Sequence, residues 1–221
     1  MNNKNLTGYL LIAAAITFWV SWFLMPDPGT TDADHILKIV KASRVSVLSS
    51  VITQIISSVL YVVALFGLAT HKSLQTKMQL TGIILLAIGA MGLCVDAFFH
   101  LLAFFMTDDS VNIQADVLSV MKFMQTTGVA FLLPLLLPLF VGSLVLAIGM
   151  RAHAKSSTSA TVMFIVAFSI GIIGGLSSNI FHYTMPGLSL VVLALFAAGQ
   201  VVIGFELNKK QRLVQTNTLW L

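Results

Sequence analysis

The sequence predicts an all-α polytopic membrane protein, a bundle of six transmembrane helices with both termini in the cytoplasm. Three observations predict it. Of the 221 residues, 57% are hydrophobic and only 9% charged, against roughly 25% charged in a soluble domain, so apolar side chains must face outward as well as inward. Six apolar runs, at about 6–25, 45–70, 80–106, 121–150, 160–182 and 188–205, match the roughly 20 helical residues that cross a hydrocarbon core. None of them alternates apolar and polar residues, and all are longer than the roughly 10 residues of a barrel strand.

Residues 1–205 then form a single transmembrane domain, and 206–221 a basic cytoplasmic tail. The net charge of +4 does not point to nucleic acid, because the basic residues fall in short loops between apolar runs, where they read as orientation signals. The lone cysteine, Cys94, excludes an intrachain disulfide, a redox pair and a cysteine-rich metal site.

The first run follows Lys4 like the core of a signal peptide. It ends instead in Trp19-Val20-Ser21-Trp22-Phe23 and Met25-Pro26-Asp27-Pro28-Gly29, with no small-residue cleavage site and with tryptophans suited to the membrane interface, so it is kept as a span. Next, Thr31-Asp32-Ala33-Asp34 resembles a capping box with Asp in place of Glu, and Ile36, Ile39 and Val40 follow at helical spacing. This short amphipathic helix either covers an outer pocket or, more plainly, lies on the headgroups.

The second run carries a polar stripe, Ser43, Ser46, Ser50, Thr53, Ser57 and Tyr61, with Gln54 and Ser58 beside it. Such a stripe faces protein, as the wall of a polar cavity or as a set of interhelical hydrogen bonds. In the fourth run Pro134 and Pro138 each remove a backbone donor and predict a bend. The fifth presents Ala167, Gly171 and Gly175, with Gly174 and Ser178 alongside, a small-residue face for close packing against another span of the same chain. The two halves share no motif, so the inverted-repeat signature of many transporters is missing.

Orientation follows from the basic residues. Lys4, Lys72, Lys77, Arg151, Lys155, Lys209, Lys210 and Arg212 fall on one side and Lys38, Lys41, Arg44 and Lys122 on the other, which makes the first side cytoplasmic. The opposite loops hold Asp27, Asp32, Asp34, Asp108, Asp109 and Asp116. The expected location is the plasma (inner) membrane of a bacterial-style cell, and the tail would rest on an anionic inner leaflet or extend into water.

One acid lies well inside a span, Asp96, and His100 follows it four residues on, on the same helix face. A charge near the bilayer centre costs about 2.5–3.5 kcal/mol on insertion scales, so this face should turn inward toward a partner. Counting about 1.5 Å per residue along the spans brings Gln54 to the depth of Asp96 and Ser50, Asn179, Thr127 and Trp22 to that of His100, with His182 and Gln125 nearer the outer surface. The predicted pocket is therefore Asp96, His100, Gln54, Ser50, Asn179 and His182.

Three chemistries fit those residues. A zinc site would take Asp96, His100 and His182 as ligands and leave a fourth position for an activated water, giving an intramembrane hydrolase, although His182 sits shallow for it. A b-type haem would be held by His100 and His182, with Phe98, Phe99, Phe104 and Phe105 nearby. The least demanding reading is an outward-facing cavity in which Asp96 and His100 bind a small solute or relay a proton. Against all three stands a scaffold or accessory subunit whose polar groups only lock the helices. His35, His71 and His153 lie in loops or at span ends and are read as solvated.

Gly8-Tyr9-Leu10-Leu11, the amphipathic stretch from Asp32 to Arg44, and Leu60-Tyr61 resemble a bacterial six-span family, domain of unknown function 4386. The resemblance covers mainly the first third of the chain and implies a six-span fold, with no activity or binding residues to carry over. The Asp96/His100 pair also resembles zinc-dependent membrane hydrolases of the alkaline ceramidase type. That family has seven spans and a richer set of histidines than this chain.

Overall fold

The computed structural model describes the backbone of residues 3–28, 32–70, 76–111, 114–154, 158–181 and 187–218, and the side chains of these segments except 3–5, 114–115, 153–154, 175–181 and 210–218. All regular structure among them is helical: α1 (Asn3–Leu24), α2 (Ala33–Ala42), α3 (Arg44–Ala69), α4 (Lys77–Met106), α5 (Gln114–Phe123), a π-helical turn (Met124–Gly128), α6 (Val129–Ala154), α7 (Thr158–Phe181) and α8 (Leu188–Thr218). Five helical stretches, Leu6–Leu24, Arg44–Ala69, Lys77–Met106, Asp116–Ala152 and Leu188–Lys209, are long and apolar enough to cross a membrane. In α7 the stretch Thr158–Gly174 is apolar but shorter, and the side chains beyond it lie outside the described residues. Large apolar side chains such as Val59, Phe66, Ile84, Met91, Phe131 and Ile165 are exposed around the outside, a surface that lipid satisfies and water does not.

The long helices pack in a closed ring, α1 on α3, α3 on α4, α4 on α6, α6 on α7, α7 on α8, and α8 back on α1. Phe18, Tyr61, Leu86, Leu93, Leu139, Leu146 and Phe164 fill the centre, each buried. A second, smaller core at one end joins Met25, Ala33, Val40, Val47, Ala103, Met106, Met121 and Met124. Here α2 lies across the bundle end, so its apolar face covers protein. The cap is Asp32, whose carboxylate accepts the Asp34 and His35 N–H groups at 3.0 and 3.2 Å. That corrects the expected box by one residue, since an Asp carboxylate reaches N–H groups two and three residues on.

The small-residue face of the fifth run is also redistributed. Ala167 is buried in the core and Gly174 packs closely on α8, where a Cβ would stand 2.4 Å from Leu188 Cδ2, but Gly171 is exposed, a Cβ there meeting only Val192 Cγ1 at 3.8 Å; Gly175 and Ser178 lie among the residues whose side chains are not described. The closest approach of helices occurs instead between α4 and α6. A Cβ on Gly82 would stand 2.7 Å from the Leu146 nitrogen, and one on Gly142 would stand 2.7 Å from the Leu86 nitrogen. Helix α6 runs unbroken through Pro134 and Pro138, and α8 continues helically to Thr218, through most of the segment expected as a tail.

Candidate functional site

Under α2, at the end of the bundle that carries the acidic loops, lies a cavity of about 390 Å³. Its floor is Asp96 on α4, only 4% exposed. Gln54 on α3 donates its Nε2–H to Asp96 Oδ2 at 2.5 Å, so the depth match expected from residue counting corresponds to a direct contact. One turn further along α4, His100 Nδ1 stands 3.9 Å from the same Oδ2, beyond hydrogen-bond range. This Nδ1 is buried without a partner, whereas Nε2 is neither bonded nor sealed off. With a quarter of the His100 side chain accessible, the edge offered to the cavity is the one bearing Nε2.

Trp22 from α1 stands edge-on to His100, with ring centroids 6.0 Å apart and planes at 89°. Its Nε1 is buried without a partner. The roof is the apolar face of α2, through Ile36, Ile39 and Val40. The rim includes Asp27, held at a left-handed φ of 49° between two prolines and paired through Oδ2 with His35 Nε2 at 2.8 Å. Asp tolerates this backbone region better than most residues. Gln125 enters from the π-helical turn, where the Val129 N–H bonds to the Met124 carbonyl five residues back; its amide contacts Met121 Sδ at 3.9 Å. Such single π turns recur at functional sites because they re-aim side chains within an otherwise regular helix.

Of the predicted pocket, the structure brings together Asp96, His100 and Gln54. Ser50 is a correction: its hydroxyl donates to the Ser21 carbonyl of α1 at 2.6 Å and takes no part in the cavity wall. Other serines of α3 behave alike, with Ser46 bonded to the Leu24 carbonyl at 2.5 Å, Ser57 to that of Ala14 at 2.9 Å and Ser58 to that of Ala90 at 2.6 Å, whereas Thr53 bonds to the Ser49 carbonyl of its own helix at 2.6 Å. Tyr61 donates to Gln200 of α8, whose amide donates to Ser143 of α6 at 2.8 Å. Asn179 lies on α7 with its side chain outside the described residues, and His182 lies outside them altogether.

The metal and haem expectations both need His182. Among the described residues no three His, Cys, Asp or Glu side chains form a group able to hold a metal ion; Asp96 and His100 stand together, and the third ligand expected, His182, lies outside the described residues. Of the phenylalanines expected around a haem, Phe99 lines the cavity, whereas Phe98 and Phe105 face outward and are exposed. Phe104 lies 4.0 Å beneath the Arg44 guanidinium. That arginine also donates to the Phe104 carbonyl, to Thr107 Oγ1 at 3.0 Å and to Asp108 Oδ2 at 3.0 Å, clamping the start of α3 to the end of α4 beside the cavity.

Sequence reasoning offered α2 either as a cover over an outer pocket or as a helix on the headgroups, with the second favoured, and missed the methionines Met25, Met121 and Met124, the rim aspartate and the π turn. The periodicity of Ile36, Ile39 and Val40 marked an apolar face without saying what it covers. No family model, curated protein or solved structure matches the chain.

Proposed function

We propose that this chain is a six-span inner-membrane protein with both termini in the cytoplasm, and that its cavity opens to the non-cytoplasmic side and binds a small solute or a proton. The observation that carries the reading is a nearly buried carboxylate, Asp96, at the floor of a 390 Å³ space roofed by a separate short helix. A carboxylate so placed is costly unless it is paired or used. The eight-to-four distribution of basic residues supports the orientation. A scaffold role is the second reading, favoured by the serines of α3, which are spent on neighbouring carbonyls. A zinc hydrolase is the third reading; Asp96 and His100 stand together, and the third ligand it needs, His182, lies outside the described residues.

Thiol labelling tests the proposal. In a Cys94→Ser background, Ala103→Cys on the cavity wall should react with a small membrane-impermeant methanethiosulfonate added outside intact cells, and Lys155→Cys only in inverted vesicles. An unreactive Ala103→Cys, or one labelled from the same side as Lys155→Cys, refutes the outward-facing pocket.

A further inference from the structure

The cavity wall is hydrocarbon and sulfur nearly everywhere: Met25, Val40, Val47, Met121, Leu132 and Leu136 reach it from several elements. A solute rich in hydroxyls or amides would lose its water there without replacement partners. What polar chemistry the wall does offer is concentrated at Asp96 and His100, and it accepts hydrogen bonds and positive charge. Asp96 keeps one bond, from Gln54. His100 Nδ1 lies 3.9 Å from that carboxylate, and Nε2, the ring nitrogen that is not sealed off, is an acceptor in the tautomer protonated at Nδ1. Of the nearby donors, Gln54 Nε2 is bound to Asp96 and Trp22 Nε1 is sealed from the cavity, which leaves the Gln125 amide, held by a 3.9 Å contact to Met121 Sδ, as an uncharged donor on the wall.

An anionic head would therefore meet the Asp96 carboxylate, and a neutral acceptor would be left with the Gln125 amide away from that floor. A cationic donor meets its complement. The aromatic faces of Trp22 and Phe99 and the sulfurs of Met25, Met121 and Met124 add polarizable surface, which attracts cations and adapts to varied apolar shapes. The volume falls at the lower end of small-molecule sites, roughly 300–1,000 Å³, enough for one aromatic or branched amine and too little for a two-chain lipid.

Resting on the pocket proposed above, we infer that its occupant is a lipophilic cation, an amine or ammonium on an apolar body, with the charge seated between Asp96 and His100 Nε2 and the body under α2. The other carboxylate on the cavity lining, Asp27, is paired with His35, and the roof from α2 is apolar.

The test is isothermal calorimetry on the full-length purified protein with three ligands of one shape, phenethylammonium, 2-phenylethanol and 3-phenylpropionate. The ammonium should bind saturably and at least tenfold more tightly than the alcohol or the carboxylate, and Asp96→Asn should remove that preference. The three-ligand comparison on the unchanged protein needs no variant and stands even if Asp96→Asn fails to fold. Equal or tighter binding of the alcohol or the carboxylate overturns the inference. So does absence of ammonium binding to protein whose Ala103→Cys counterpart is labelled from outside; there the pocket stands and this occupant falls, whereas an unlabelled Ala103→Cys removes the pocket itself.

Discussion

Replacing Gly82 or Gly142 by alanine tests the close packing of α4 against α6. Each new Cβ would meet a backbone nitrogen of the facing helix at 2.7 Å, whereas ordinary contact begins at 3.4 Å. The obstruction is backbone, so no side chain can swing away, and α4 and α6 must separate by about 0.7 Å along this stretch. A gap of 0.5–1 Å already forfeits a quarter to a half of each dispersion contact, and overpacking of this kind costs roughly 1–3 kcal/mol. Lipid supplies no hydrophobic drive to restore the seam, because its tails are as apolar as the leucines it would replace. Gly171→Ala is the matched control: its Cβ meets one methyl at 3.8 Å, and the expected change is within about 0.5 kcal/mol. Unfolding in mixed micelles by titration with SDS, followed by far-ultraviolet circular dichroism, gives the comparison. Midpoints for Gly82→Ala and Gly142→Ala should fall well below that of Gly171→Ala; equal midpoints, or a greater loss at Gly171, would refute the reasoning.

Two further outcomes follow from contacts around the site. Ser50→Ala and Ser57→Ala each remove one bond between α3 and α1 and should cost about 0.6 kcal/mol each in the same titration, while leaving labelling of Ala103→Cys unchanged; a loss of labelling would return Ser50 to the cavity wall. Asp108 lies outside the spans, and the Ser110 hydroxyl and N–H donating to its Oδ1, with a smaller contribution from Arg44, hold its carboxyl below the ordinary value of 3.8. A depressed folded value means that the stabilisation is complete above 3.8 and is lost as pH falls below it through the folded value. Hydrogen exchange in α2 and in the start of α3 should therefore accelerate only in that acid range, and Asp108→Asn should show the acid behaviour at neutral pH.

Five of the expected spans were legible because hydropathy over 20 residues is a property of one segment, needing no knowledge of its neighbours. The floor of the site was legible for a related reason: the four-residue spacing of Asp96 and His100 fixes a helix face, and counting rise per residue brought Gln54 of an antiparallel span to the same level. Ser50 exposes the limit of that method. Depth alone does not say whether a hydroxyl meets a cavity or a carbonyl, and the acceptors it found, along α1, are backbone atoms with no signature in the sequence. The glycines show the same limit. Gly171 stood in a recognisable pattern and is exposed, while Gly82 and Gly142, in different helices, make the close approach as a pair that only the fold brings together. The covering role of α2 was half legible, since its apolar face was evident and its resting place was not.

The π turn allows a sharper test of how α5 and α6 are made to serve the cavity together. Because the Val129 N–H bonds to the Met124 carbonyl five residues back, the turn holds one residue more than an α-helix needs. Thr127 is exposed. Deleting it would leave Val129 four residues after Met124, so that the same donor and acceptor close a regular α-helical ring. On that geometry the segments on either side keep their faces, with Met121 still in the end core and Leu132 and Leu139 still buried. Only residues inside the turn, Gln125 above all, are re-aimed. Deletion of Thr127 should therefore be tolerated, shifting stability by less than about 1 kcal/mol, while ligand preference in the cavity changes. Deletion of Leu144, in a regular stretch of α6, would rotate everything beyond it by about 100° and should abolish folding. If both deletions unfold the protein alike, the turn is no spare residue but part of a helix whose register depends on it.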